Sequence, residues 1–131
     1  MISLSHSQRN EIFEHAKGSP SLEICGILAG KNGRVEKVYK MTNTSETPEL
    51  CYFMDSKEQF KIIKEIRGLG LELVGIYHSH PESQAYPSGK DVELAFYPEA
   101  AYIIISLQGG EPVIRAFRIV EGEIKEETID G

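Results

Sequence analysis

The stretch Gly75-Ile76-Tyr77-His78-Ser79-His80-Pro81, followed by Pro87-Ser88-Gly89-Lys90-Asp91, concentrates the side chains able to do chemistry. His78 and His80 stand two apart at the end of an apolar run that reads as a strand, and side chains at i and i+2 point to one face. Two imidazoles on one face suit a zinc ion, whose Zn–N bonds are about 2.0–2.1 Å. Asp91 lies on a following helix, and the intervening loop can fold its carboxylate back as a third ligand. Three protein ligands leave one tetrahedral position open, as at catalytic rather than structural zinc. Zinc held in this way lowers the pKa of its water to about 7, which makes a nucleophile at neutral pH. The same residues have a plainer reading. Two histidines at a strand end can be half-exposed polar groups, and Ser88 with Asp91 three residues later fits a capping box. The two readings are compatible, since a capped short helix would aim the Asp91 carboxylate.

His-x-His alone also occurs in cupins and in amidohydrolase barrels. The cupin pattern wants a glutamate four or five residues after the second histidine, and Glu82 comes too soon. A barrel of about 250 residues does not fit the chain. The whole constellation is more specific. His78-Ser79-His80-Pro81, the spacing to Asp91, and Pro87-Ser88 just before it resemble the JAMM motif of the MPN+ metalloprotease family. That family also has a glutamate in a Glu-x-Cys-Gly-x-Leu-x-Gly setting, which here is Glu23-Ile24-Cys25-Gly26-Ile27-Leu28-Ala29-Gly30. Phe53-Met54-Asp55 and Ala95-Phe96-Tyr97-Pro98 also look familiar, so the resemblance covers essentially the whole chain.

The resemblance implies zinc ligands at His78, His80 and Asp91. It implies that Glu23 holds the attacking water, takes its proton and passes it to the leaving amine. Ser88 would hydrogen-bond the oxyanion. It implies an α/β (mixed α+β) domain of MPN type, a central mixed sheet flanked by two main helices, with Asp91 on a short third helix. The expected partner is a ubiquitin-like protein with a Gly-Gly tail, cut at the peptide or isopeptide bond after its last glycine. Compact prokaryotic members without ubiquitin-reading insertions are the nearest in kind, which favours a ubiquitin-like sulfur carrier. Two other uses stay open: an isopeptidase that removes ubiquitin-like modifiers from lysines, and a zinc-bound module that holds the tail uncut. A cysteine hydrolase built on Cys25 and a histidine is a third reading from the residues themselves.

Hydrophobic periodicity supplies the elements that must position these groups. A helix is expected over Ser7–Lys17, with Ile12, Phe13 and Ala16 inward and His6 and His15 at the surface. Leu22–Ala29 and Arg34–Met41 read as strands joined by the Lys31-Asn32-Gly33 turn. Asn43–Glu49 is a loop and Leu50–Met54 a short strand. Asp55 with Glu58 reads as a capping box opening a helix to Arg67, its buried stripe Phe60, Ile63 and Ile66. Leu71–His78 is a strand, Ser79–Pro87 a polar loop and Ser88–Phe96 a short helix. Ala101–Leu107, nearly continuous in apolar residues, reads as a central strand covered on both faces. Val113–Val120 and Glu123–Ile129, joined at Glu121-Gly122, complete the sheet.

The 131 residues fit one domain, residues 1–131, with a core large enough to need no staple. Twenty acids against fourteen bases give a net charge of −6. Residues 121–131 hold five acids and one base, so −4 of that charge sits in the last segment. No basic stripe remains for nucleic acid. The longest apolar run, Ala100–Leu107, is far short of the roughly 20 residues of a membrane span. The N-terminal residues lack a secretory pattern, and Cys25 and Cys51 form no Cys-x-x-Cys pair. A cytoplasmic protein with reduced thiols is therefore expected.

Overall fold

The computed structural model describes residues 1–131. In chain order the elements are β1 (Ile2–Ser3), α1 (His6–Lys17), β2 (Cys25–Lys31), β3 (Arg34–Met41) and α2 (Ser56–Gly68). Next come β4 (Glu72–His80), α3 (Gly89–Glu93), β5 (Ala101–Ser106), β6 (Val113–Val120), β7 (Glu123–Glu127) and β8 (Ile129–Asp130). All the strands join one mixed sheet in the order β7-β6-β5-β4-β2-β3-β1-β8. β4 and β5 run parallel, and β2 lies antiparallel to β4 on its other side.

Each face of the sheet has its own core, because strand side chains alternate. Ile103 and Ile105 of β5 pack with Ile12 and Ala16 of α1 on one face. Tyr102 and Ile104 pack with Ile66 of α2 on the other. This explains the apolar run of β5, whose six residues are all buried. His78 and His80 share the α2 face with Ile76 by the same alternation. The two Gly-containing turns behave as their sequences require. Asn32 and Gly33, and likewise Glu121 and Gly122, all have positive φ, so each pair closes a two-residue hairpin with the twist its strands need.

Several boundaries differ from the sequence expectation. β2 starts at Cys25, because the backbone around Glu23 bonds to side chains and a loop rather than to a ladder. β4 runs on to His80, held by the pairing of His80 with Ser106. Leu50–Met54 is no strand; only Met54 bridges, to Asn43. The Asn43 side chain occupies the polar groups there, bonding Cys51 O and Phe53 N. Asp55 makes no side-chain cap on α2. Glu58 instead accepts from Thr42 N and Oγ1 at 2.6 and 3.0 Å, which ties the helix to the end of β3. Phe60 is 71% exposed, and Ile62 packs on the core in its place. The third helix ends at Glu93, three residues before the expected Phe96. His15 is half-buried rather than fully at the surface, with its Nδ1 2.7 Å from the hydroxyl of Tyr77. The acids of the last segment are partly paired, Glu126 with Arg115 and Glu127 with Arg118.

Tyr77 explains Gly26. A Cβ at residue 26 would lie 2.1 Å from the Tyr77 ring, which is fully buried and has no room to withdraw. Gly26→Ala should therefore destabilise the protein by about 3 kcal/mol, the upper part of the usual overpacking range. Equilibrium urea unfolding measures it; a loss below about 1 kcal/mol would mean that Tyr77 has another rotamer available.

Candidate metal centre

β4, α3 and the segment before β2 bring the chemistry-bearing residues to one place. His78 Nε2, His80 Nε2 and Asp91 Oδ2 form a triangle with sides of 3.2, 3.1 and 3.0 Å. All three residues are buried. His80 Nδ1 lies 2.8 Å from the Gln84 carbonyl oxygen, which can only accept, so Nδ1 carries the hydrogen. In the neutral ring Nε2 is then a lone pair aimed at an ionised carboxylate. The His80 lone pair and the Asp91 carboxylate, 3.0 Å apart, are two acceptors that repel unless a cation or a proton stands between them. Donors of a tetrahedral zinc ion with bonds near 2.0–2.1 Å are about 3.3 Å apart, close to this triangle. The donor set and its spacing thus fit a divalent metal of that size.

Asp91 is aimed by the capping box expected of Ser88. The Ser88 hydroxyl accepts from Asp91 N at 3.1 Å, and Ser88 N donates to Asp91 Oδ2 at 2.9 Å. The cap uses an acceptor lone pair of Ser88 and leaves its hydroxyl hydrogen to donate elsewhere. Burial alone would raise the Asp91 pKa, but His78, His80 and the Ser88 amide hold it well below the usual carboxylate range. Burial lowers the pKa of His78, against the pull of Asp91. Burial opposes protonation of His80 too, yet Asp91 and the Gln84 carbonyl raise its pKa.

The two histidines are held differently. His80 has the bond to Gln84, whereas His78 Nδ1 is buried without a partner. The His78 ring instead stacks on Tyr52, centroids 4.4 Å apart at 26°. Neither support was readable in the sequence: the Gln84 contact is a main-chain carbonyl that any residue offers, and Tyr52 is remote in the chain.

Glu23 is 5% exposed and its Oε1 has no hydrogen-bond partner. Burial raises its pKa to about 7; His80 works against that rise and Asp91 adds to it. A carboxylate so poised exchanges protons near neutral pH. Cys25 does not share this character. It is fully buried, and burial with Glu58 and Glu23 pushes its thiol up to about 12, so it is no nucleophile. A cavity of about 430 Å³ against Ile63, Leu71 and Arg118 is lined by none of these residues. No helix is long and apolar enough to cross a membrane.

The chain is similar to several known proteins. Residues 5–120 match the family described as prokaryotic homologs of the JAB domain. The CysO-cysteine peptidase of Mycobacterium tuberculosis is 38% identical over 124 residues, 92% of this chain and 84% of that protein. The desampylase of Haloferax volcanii is 37% identical over 114 residues, 82% of each chain. A solution structure from Desulfitobacterium hafniense superposes with a TM-score of 0.85 at 37% identity, over 98% of this chain and 91% of that one. A JAB1/MPN domain protein of Archaeoglobus fulgidus, 19% identical, superposes with a TM-score of 0.65 over the full length of both and establishes the MPN fold. With its eight-stranded mixed sheet and a His-His-Asp group on β4 and α3, the chain belongs to the prokaryotic JAB/JAMM metallopeptidase family.

Proposed function

We propose that residues 1–131 form one zinc peptidase domain that cuts after the C-terminal glycine of a ubiquitin-like protein, a sulfur carrier above all. The observation that carries this reading is Glu23, buried beside a metal-sized donor triangle with a free oxygen and a pKa near 7. A module that only held a tail would need no such base. His78, His80 and Asp91 would hold the zinc ion. Zinc bound there supplies Lewis acidity, which polarises the scissile carbonyl and acidifies water. Glu23 takes a proton from the attacking water and returns it to the leaving nitrogen as the C–N bond breaks. Ser88 donates its spare hydroxyl hydrogen to the oxyanion that forms on the carbonyl oxygen. A Gly-Gly tail suits the site because an extended chain without side chains enters a narrow cleft. The relative named a CysO-cysteine peptidase supports removal of a C-terminal residue from a carrier. The relative named a desampylase favours a second reading, cleavage of a modifier from lysine. Two free cysteines suit a reducing cytoplasm.

The test uses zinc-loaded protein and two substrates, a Gly-Gly-ended carrier extended by one cysteine and the same tail joined to a lysine side chain. Intact mass spectrometry reads the products. Faster loss of the cysteine is expected. Faster lysine release would favour the second reading, and neither cut would overturn both. A tail bound yet uncut would leave the binding module.

A further inference from the structure

The residue between the two histidines makes contacts that metal holding does not require. Ser79 is fully buried, and alternation turns its side chain away from His78 and His80. Its hydroxyl accepts from Ile24 N at 2.9 Å and donates to Leu22 O at 3.4 Å. Its own N–H donates to Ile24 O at 3.1 Å. Leu22 O and Ile24 N belong to the two peptide planes that flank Glu23. The other polar groups of those planes are also engaged: Glu23 N donates to Pro48 O at 2.7 Å, and Glu23 O accepts from Asn43 Nδ2 at 2.9 Å. No strand ladder supplies any of these four bonds, since β2 begins only at Cys25. The backbone of Glu23 is saturated on both sides, while its carboxylate keeps a free oxygen.

We propose that Ser79 is a positioning residue for Glu23. One hydroxyl ties the segment that carries the base to the strand that carries two metal ligands, so that base and metal group keep one fixed separation. Such separations matter, because a misplacement of about 1 Å can cost about a hundredfold in rate. The proposal rests on the role given to Glu23 above.

Ser79→Ala and Ser79→Thr test it, with four readouts: zinc content, amide exchange at Ile24, the split between kcat and KM, and the effect in a Glu23→Gln background. In Ser79→Ala, exchange at Ile24 should accelerate while that of Cys25 holds. Zinc should stay bound, KM should hardly move, and kcat should fall by about 10–100-fold. Ser79→Thr keeps the hydroxyl and should restore kcat. In Glu23→Gln the alanine change should cost nothing more, because the group it positions is gone. Should Ser79→Ala not fold, Asn43→Asp removes the donor to Glu23 O and should show the same kcat loss with zinc retained. An active wild type with unchanged kcat in Ser79→Ala overturns the proposal and spares the functional reading. Loss of zinc in that variant overturns it too, by making Ser79 a support of the ligands. A wild type without turnover overturns the functional reading, and this role of Ser79 with it.

Discussion

Glu23→Gln is expected to lower kcat by about 10⁴-fold, the upper end for a residue that acts as base and then as acid, while zinc stays bound. The amide keeps the shape of the carboxylate but can neither take nor return a proton. The same change should stabilise the metal-free protein, with a definite pH dependence. Glu23 titrates near 4.5 when unperturbed and at about 7 in the fold. Below 4.5 it is protonated in both folded and unfolded chains, so it contributes no difference there. Above that the unfolded chain ionises first, and stability relative to the glutamine variant falls until pH passes 7. The gap should reach about 1–3 kcal/mol at pH 8 and shrink when a cation is bound nearby. Steady-state turnover, elemental mass spectrometry and chelated unfolding at pH 4 and pH 8 measure the three parts. Turnover within tenfold of wild type would remove Glu23 from the chemistry. A glutamine variant no more stable at pH 8 than wild type would mean that Glu23 ionises without penalty.

How legible each feature is depends on how local its cause is. His78 and His80 can be paired from sequence because strand alternation acts over two residues, and Asp91 can be aimed because its capping box is local. The hairpin turns are readable for the same reason, since Asn32-Gly33 needs nothing beyond its own φ angles. Glu23 is the opposite case. Its spacing marks nothing, and it lies outside β2 altogether, so only resemblance to a family singles it out. What holds it comes from Ser79, Asn43 and Pro48, which are far away in the chain. Glu58 fails as a capping residue because a tertiary partner, Thr42, outbids the helix end. Phe60 fails as a core residue because the helix face is set by contact with the sheet, which selects Ile62 and Ile66. The strands at the two ends of the chain, β1 and β8, are two residues each, too short to show a period.

His78→Ala should abolish metal binding and with it a large share of the folded stability. The three donors lie within hydrogen-bonding distance of one another and are almost wholly buried. Without a cation, the His80 lone pair that faces the Asp91 carboxylate is relieved by a proton. Metal and proton therefore compete for the same place, and zinc affinity should fall as pH drops and His80, whose pKa is raised, takes up its proton. For wild type, free zinc at about a thousandfold over Kd should add about 4 kcal/mol, on the order of 15 °C in Tm for a domain of this size. Chelator should remove that increment from wild type. It should leave His78→Ala unmoved, since two donors cannot hold the ion against the same chelator. Calorimetry with and without chelator, beside metal analysis of both proteins, reads the outcome. A His78→Ala protein that still carried about one zinc per chain would place the metal on other ligands, because a site of this type with three protein donors cannot spare one of them.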